Sequence, residues 1–125
     1  MDLQHAPRVM VVDDNIDAAD LLAQLLETFG FNALALYSGK TAISEALRFR
    51  PDFIFLDIGM PEMDGYEAIR RLRLLQGFAQ LPIIALTAWN DVASRHRIAQ
   101  AGFTHHTVKP APLDDIFAIL NAGSS

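Results

Sequence analysis

Residues 53 to 65 read FIFLDIGMPEMDG. Four apolar residues, Phe53-Ile54-Phe55-Leu56, run into a carboxylate, Asp57, and the turn formers Gly59, Pro61 and Gly65 follow. A short apolar run of aromatic and branched side chains, closed by turn formers, reads as a strand buried on both faces. Strands of that kind belong to parallel sheets covered by helices on both sides. The stretch therefore points to an α/β fold, and it delivers one aspartate to a strand end.

The flanking sequence repeats the pattern. Strand candidates lie at 8–12, 31–36, 52–57, 81–87 and 103–108, and helix candidates at 15–29, 39–49, 64–75, 91–101 and 112–121. Gly30 and Gly102 close two helices, Pro51 follows a third, and Pro112 opens the last. Strict alternation implies a parallel sheet between helical layers. Residues 7–122 are expected to form one domain, with 1–6 and 123–125 as tails. No repeat, linker or low-complexity segment interrupts it.

Composition narrows the function. The chain has 125 residues, 51% hydrophobic and 20% charged, which suits a globular domain with a real core. The net charge of -5 argues against nucleic acid as a direct partner, because that needs clustered Lys and Arg. There is no cysteine, hence no disulfide or zinc-thiolate chemistry. No apolar run approaches the roughly 20 residues of a membrane span. MDLQHAPR is too short and polar for a signal peptide. A cytoplasmic domain without membrane insertion is expected.

In an open parallel sheet, ligands bind beyond the carboxyl ends of the strands. Those ends carry Asp13-Asp14, Asp57, Thr87-Ala88 and Lys109-Pro110. Taken singly, each has a bland explanation. A paired aspartate before a helix is an N-cap and its neighbour. A threonine at a strand end is structural, and Lys-Pro belongs to a loop. Their joint occurrence at four strand ends is what points to chemistry. Clustered carboxylates repel one another unless a cation joins them. Mg²⁺, a hard ion that takes one or two carboxylates plus phosphate oxygens, is the natural solution. Metal, ammonium and hydroxyl together form a receptor for a phosphoryl group, with Asp57 as a nucleophile able to form an acyl phosphate.

VVDDN (11–15), FLDIGMPEMDG (55–65), LTA (86–88) and VKP (108–110) resemble the receiver domain of two-component response regulators, in order and spacing over nearly the whole chain. GFTHHTVKP, following AQA, is similar to receivers attached to hybrid histidine kinases. The resemblance implies a flavodoxin-like doubly wound fold with strand order 2-1-3-4-5. It implies Asp57 as the phosphoacceptor, with Asp14, Asp57 and the Gly59 carbonyl as metal ligands and Asp13 reaching the metal through water. Thr87 and Lys109 match the partners of the phosphoryl oxygens, and the Lys109-Pro110 bond matches a position that is usually cis. Implied partners are a histidine kinase or a histidine phosphotransfer protein. Catalysis is expected to be limited to the domain's own phosphorylation and dephosphorylation.

His106 departs from the pattern. The family commonly places Tyr or Phe three residues before the lysine, where the ring swings inward on activation. Histidine is smaller and ionisable, so the switch is expected to be damped or pH-sensitive. His105 and His106 do not make a metal pair, because adjacent strand residues point to opposite faces. On the first helix, Asp17, Asp20, Gln24 and Glu27 form a polar stripe with Leu21 at its border. Leu22, Leu25, Leu26 and Phe29 are the expected core face. By the resemblance, the outer side of this helix meets the donor, with Ala18 and Leu21 as apolar contacts.

Four rivals remain. An aspartyl-nucleophile phosphatase of the haloacid dehalogenase type needs a second aspartate where this chain has Gly59. A nucleotide- or flavin-binding domain needs a glycine-rich cradle, and VVDDNID has no glycine. A degenerate docking module would not keep the full residue set. A passive phosphate carrier would keep it and lack the switch. No output domain fits within 125 residues, so the chain is expected to be a stand-alone regulator or a receiver from a larger protein. The stimulus and downstream effector are not encoded in the pattern.

Overall fold

The computed structural model describes residues 6–123; most of the two expected tails, 1–5 and 124–125, lies outside them. Five strands alternate with five helices: β1 Arg8–Val12, α1 Ile16–Thr28, β2 Asn32–Leu36, α2 Gly39–Phe49, β3 Phe53–Asp57, α3 Gly65–Arg73, β4 Ile83–Thr87, α4 Val92–Gln100, β5 His105–Val108 and α5 Leu113–Gly123. Each expected element is present, with no end displaced by more than two residues. The five strands form one sheet in the order β2-β1-β3-β4-β5, and every pairing is parallel.

Register makes two cores from one sheet. Met10, Val12, Ile54, Leu56, Ile83 and Ala85 face one helical layer with Ala68, Ile69, Leu72 and Ile98. Val9, Val11, Phe53, Phe55, Ile84 and Leu86 face the other, with Ala19, Leu26, Ile116 and Leu120. β3 is buried along its whole length, as its uninterrupted apolar run requires. β2 is only partly buried because it is the edge strand, which explains why alanines suffice there. Its outward-facing Ala33 N–H donates to a Glu27 carboxylate oxygen at 3.1 Å, which blunts that edge.

At α1 the bland reading of the aspartate pair fails, and one expectation is corrected. The N-cap is Asn15, whose side chain accepts from the Ala18 N–H; neither aspartate of the pair caps the helix. Phe29 is 53% exposed rather than part of the core. It sits past the last helical turn as the C-cap and packs edge-to-face against Phe117 of α5, with ring centroids 4.9 Å apart.

Candidate functional site

Topology brings the ends of β1, β3, β4 and β5 to one rim. β1 and β3 are adjacent, so Asp13, just after β1, stands beside Asp57, the last residue of β3. The chain then leaves on opposite faces, to α1 and α3, and a cleft opens between. Asp13, Asp14, Asn15, Asp57, Gly59, Thr87, Ala88, Trp89 and Lys109 line a cavity of about 360 Å³ there, together with Ile58.

The local geometry is held by short-range bonds. One Asp13 carboxylate oxygen accepts from the Asn15 N–H at 3.0 Å, so the residue that caps α1 also fixes Asp13. One Asp57 oxygen accepts from the Gly59 N–H at 3.0 Å. The Lys109 ammonium spans the two acids, 3.2 Å from Asp13 Oδ2 and 3.3 Å from Asp57 Oδ2. Asp13 and Asp57 are buried, 2% and 3% exposed, whereas Asp14 is exposed at the mouth. Thr87 is buried, and its hydroxyl accepts from the Trp89 N–H at 3.0 Å and donates to the Trp89 carbonyl at 3.2 Å. The Lys109–Pro110 peptide is cis.

Burial pushes the Asp57 carboxyl up to about 6, with the neighbouring Asp13 charge adding to it; the Gly59 N–H and Lys109 act in the opposite sense. Burial alone depresses Lys109, but the Asp57 and Asp13 charges outweigh it, and the ammonium is held above its usual range. The anionic site thus carries a fixed cation and a carboxylate that is reluctant to ionise. The side-chain oxygens of Asp13, Asp14 and Asp57 lie within 4.8 Å of one another. Three hard oxygen donors so placed, with an open mouth, fit Mg²⁺.

Some singled-out residues lie elsewhere. His106 is half-buried on β5 beside Ala85 and is not among the residues lining the acidic cavity. Ala18 and Leu21 of α1 line a separate apolar groove of about 130 Å³ with Pro110 and Ala111, which reaches Asp13 and Lys109 from the α1 side. Leu21 is 59% exposed. Sequence reasoning misses two contributors. Asn15 is read only as the first residue of the helix candidate 15–29, although a side-chain acceptor at a helix start is a cap signal. Trp89 carries no periodic signal, and only its place two residues after Thr87 marks it.

A five-stranded parallel sheet of this order, with an acidic pocket at its carboxyl rim, is the architecture of a phosphoacceptor domain of the CheY-like kind. The family model for the response regulator receiver domain matches residues 9–121, and the chain belongs to that family. The chemotaxis protein CheY4 of Vibrio cholerae superposes with a TM-score of 0.89 at 25% identity, covering 94% of this chain and 98% of its own. The receiver domain of the sensor histidine kinase PA1611 from Pseudomonas aeruginosa superposes with a TM-score of 0.87 at 30% identity, covering 97% and 100%; it holds a magnesium ion in its active site cleft. Among curated relatives, the transcriptional regulatory protein PrrA of Mycobacterium tuberculosis is 35% identical over 94% of this chain. The chain spans about half of that relative, 49% of its length. Among the described residues, no helix is long and apolar enough to cross a membrane.

Proposed function

We propose that Asp57 accepts a phosphoryl group from a phosphohistidine side chain of a histidine kinase or histidine phosphotransfer protein. One observation carries this reading: the Asp57 carboxylate, buried at the end of β3, lies 3.3 Å from the Lys109 ammonium and within 4.8 Å of the ligand oxygens of Asp13 and Asp14. An Asp57 oxygen attacks phosphorus and forms an O–P bond. The donor's P–N bond breaks, and its electron pair stays on the imidazole nitrogen. Lys109 offsets charge on the incoming oxygens, and the Thr87 hydroxyl is a donor for one of them. Asp14, Asp57 and the Gly59 carbonyl would hold Mg²⁺, with Asp13 reaching it through water. Once bound, the ion supplies charge neutralisation for carboxylates and phosphoryl oxygens. Residues 7–122 would act as one such domain, cytoplasmic because its phosphohistidine donors are, and without turnover of outside substrates.

The α1 groove supports a docking site for the donor. Ala18 and Leu21 flank the approach to Asp13 and Lys109, and an apolar side chain of the donor would fill the groove beside Pro110. Incubation with acetyl phosphate and Mg²⁺ should add one phosphoryl group that is stable in acid and labile in base. Asp57→Asn should abolish it, and equal labelling of this variant overturns the assignment.

A further inference from the structure

β2 is an edge strand whose outer backbone groups are only partly satisfied. The Asn32 N–H donates to the Pro7 carbonyl at 2.8 Å, and the Leu36 carbonyl accepts from the Asp13 N–H at 3.0 Å, so Asn32, Leu34 and Leu36 turn their backbone groups toward β1. Successive residues of a strand alternate in direction, and the N–H and C=O of Ala33 and Ala35 therefore point away from the sheet. The Ala33 N–H meets the Glu27 carboxylate, which stands where the carbonyl of a neighbouring strand would. Ala35 has no such plug: among the described residues its outward N–H and C=O meet no partner. The strand, NALAL, also lacks the proline or charge that commonly guards an edge. A groove of about 270 Å³ lies along it, lined by Ala33, Ala35 and Tyr37 on one side and by Asp20, Gln24 and Glu27 of α1 on the other. α1 carries Asp17, Asp20 and Glu27 and no Lys or Arg.

We propose that the β2 edge binds an extended peptide with basic side chains at alternate positions, added to the sheet as a further strand. The backbone supplies the attachment and the acidic flank of α1 supplies the selection. A peptide carbonyl takes the Ala33 N–H, the displaced Glu27 carboxylate pairs with a Lys or Arg of the peptide, and the Ala35 N–H and C=O gain partners. Same-face side chains of an extended segment recur about every 6.6 Å. That repeat is close to the helical pitch of about 5.4 Å that spaces Asp20, Gln24 and Glu27 along α1. Asp20 accepts from the Tyr37 hydroxyl at 2.6 Å through Oδ1, which holds its carboxylate at the mouth of the groove. A second copy of this chain is the wrong occupant. Pairing β2 with β2 would bring Asp20 and Glu27 of one copy against those of the other, and like charges across a strand pair oppose it. The groove shares no lining residue with the Ala18–Leu21 groove, so the inference goes beyond phosphoryl acceptance and stands independently of Asp57.

The probe is a short, end-blocked peptide of alternating lysine and valine, titrated into the whole chain and followed by nitrogen-15 NMR. Shifts should be confined to β2, Tyr37 and the Asp20–Glu27 flank of α1. At saturation, exchange protection of the Ala35 amide should rise roughly two- to tenfold, as gain of one ordinary hydrogen bond allows. The same peptide with glutamate for lysine should not bind. Only alternate peptide amides can face the edge, so N-methylation of every lysine or of every valine should abolish binding in at least one of the two cases. Binding by both methylated peptides, or binding with Ala35 protection unchanged, reduces the contact to charge adhesion and overturns strand addition. No binding of the lysine peptide overturns the proposal outright. Ala35 protection that rises with protein concentration alone assigns the edge to a second copy and overturns it as well. Glu27→Gln keeps an acceptor for the Ala33 N–H and removes the charge; it should weaken binding roughly two- to fivefold, the worth of an exposed ion pair. Unchanged affinity in Glu27→Gln overturns Glu27 as the partner of the peptide's cation, and with it the choice of a basic occupant. Labelling of Asp57 by acetyl phosphate should be the same with and without the peptide, and inhibition by the peptide would place it in the acidic cavity instead.

Discussion

Two loops leave the rim from adjacent strands, and they are built in opposite ways. β3 and β4 are both buried throughout. After β3 the chain stays fixed: the Ile58 N–H donates to Leu86, the Gly65 N–H to Ile58 and the Gly59 N–H to Asp57, while Met60 is 5% exposed. After β4 the chain lies on the surface, with Trp89 68% and Val92 72% exposed, held mainly by the Thr87–Trp89 bonds and the Asp91 cap of α4. On the proposed reading Asp57 needs a fixed mount, because a nucleophile must meet groups carried by three other strand ends. The segment after Thr87 has fewer buried contacts and would open at lower cost. On the proposed reading, the fixed β3 end carries the chemistry, and the β4 end is the more exposed wall of the site.

The rigid side should fail first under substitution. A Cβ on Gly65 would lie 2.5 Å from Ile58 Cα and 2.7 Å from the Asp57 carbonyl oxygen, both backbone atoms that cannot step aside. Gly65→Ala should therefore cost about 3 kcal/mol, the upper range of overpacking, read by urea unfolding. It should also slow labelling of Asp57. A cost below that of a surface change would mean the β3 loop is as pliable as the β4 loop.

The second test uses charge. The folded carboxyl of Asp57 lies at about 6, above its ordinary 3.8, so the folded protein holds the proton more tightly than the unfolded one. Its contribution is fully present below about 3.8 and is lost as pH rises through about 6. Metal-free protein should lose roughly 1–2 kcal/mol across that window, after discounting for solvent screening. Asp57→Asn should flatten the slope, and saturating Mg²⁺ should counter the loss above pH 6, since the metal binds the ionised form. Glu67, held down to about 2 by Arg70 and then Arg71, acts with the opposite sign at lower pH and does not mask the effect. An unchanged slope in Asp57→Asn would show that the rim strain sits elsewhere.

How much of the fold and the site is legible in the sequence depends on the kind of signal. The β3 mount is readable because continuous apolar sequence admits few alternatives, and Asp57 follows from its position at the end. Convergence of Asp13, Asp57, Thr87 and Lys109 follows from strand ends sharing a rim. The strand order comes from the family resemblance, since alternation alone allows several orders. Phe29 is misplaced by a reading that carries helical spacing one residue past Thr28, where the chain turns away and Phe117 offers a surface partner. The Thr87–Trp89 turn is invisible in the sequence, since it depends on backbone directions in a loop with no period.

A third test asks whether the rigid loop is strained as well as packed. Glu62, between Pro61 and Met63, adopts a left-handed backbone with φ of 65°, which is unfavourable for a residue with a Cβ. Glu62→Gly should stabilise by up to about 1 kcal/mol, the left-handed penalty less the greater freedom of glycine when unfolded. Thermal melting at fixed Mg²⁺ would check it. A loss of stability would mean the Glu62 side chain contributes more than its backbone costs.

The smallest stability effects belong to Leu21, yet its functional effect should be large. Leu21 is 59% exposed on α1, so Leu21→Arg should change stability by no more than about 0.5 kcal/mol. Labelling by acetyl phosphate should survive, because Asp57, Lys109 and Thr87 are untouched. Transfer from a phosphohistidine protein should fall, because the groove beside Pro110 would receive a guanidinium that docking must strip of water. The same pair of assays on Trp89→Ala serves as the contrast: its stability should also stay within about 0.5 kcal/mol, as for other exposed positions. Transfer should persist there, because Trp89 lines the acidic cavity and is not among the residues lining the α1 groove. If both substitutions lower transfer equally, the donor covers the β4 loop as well. If neither does, the α1 groove is not where the donor binds.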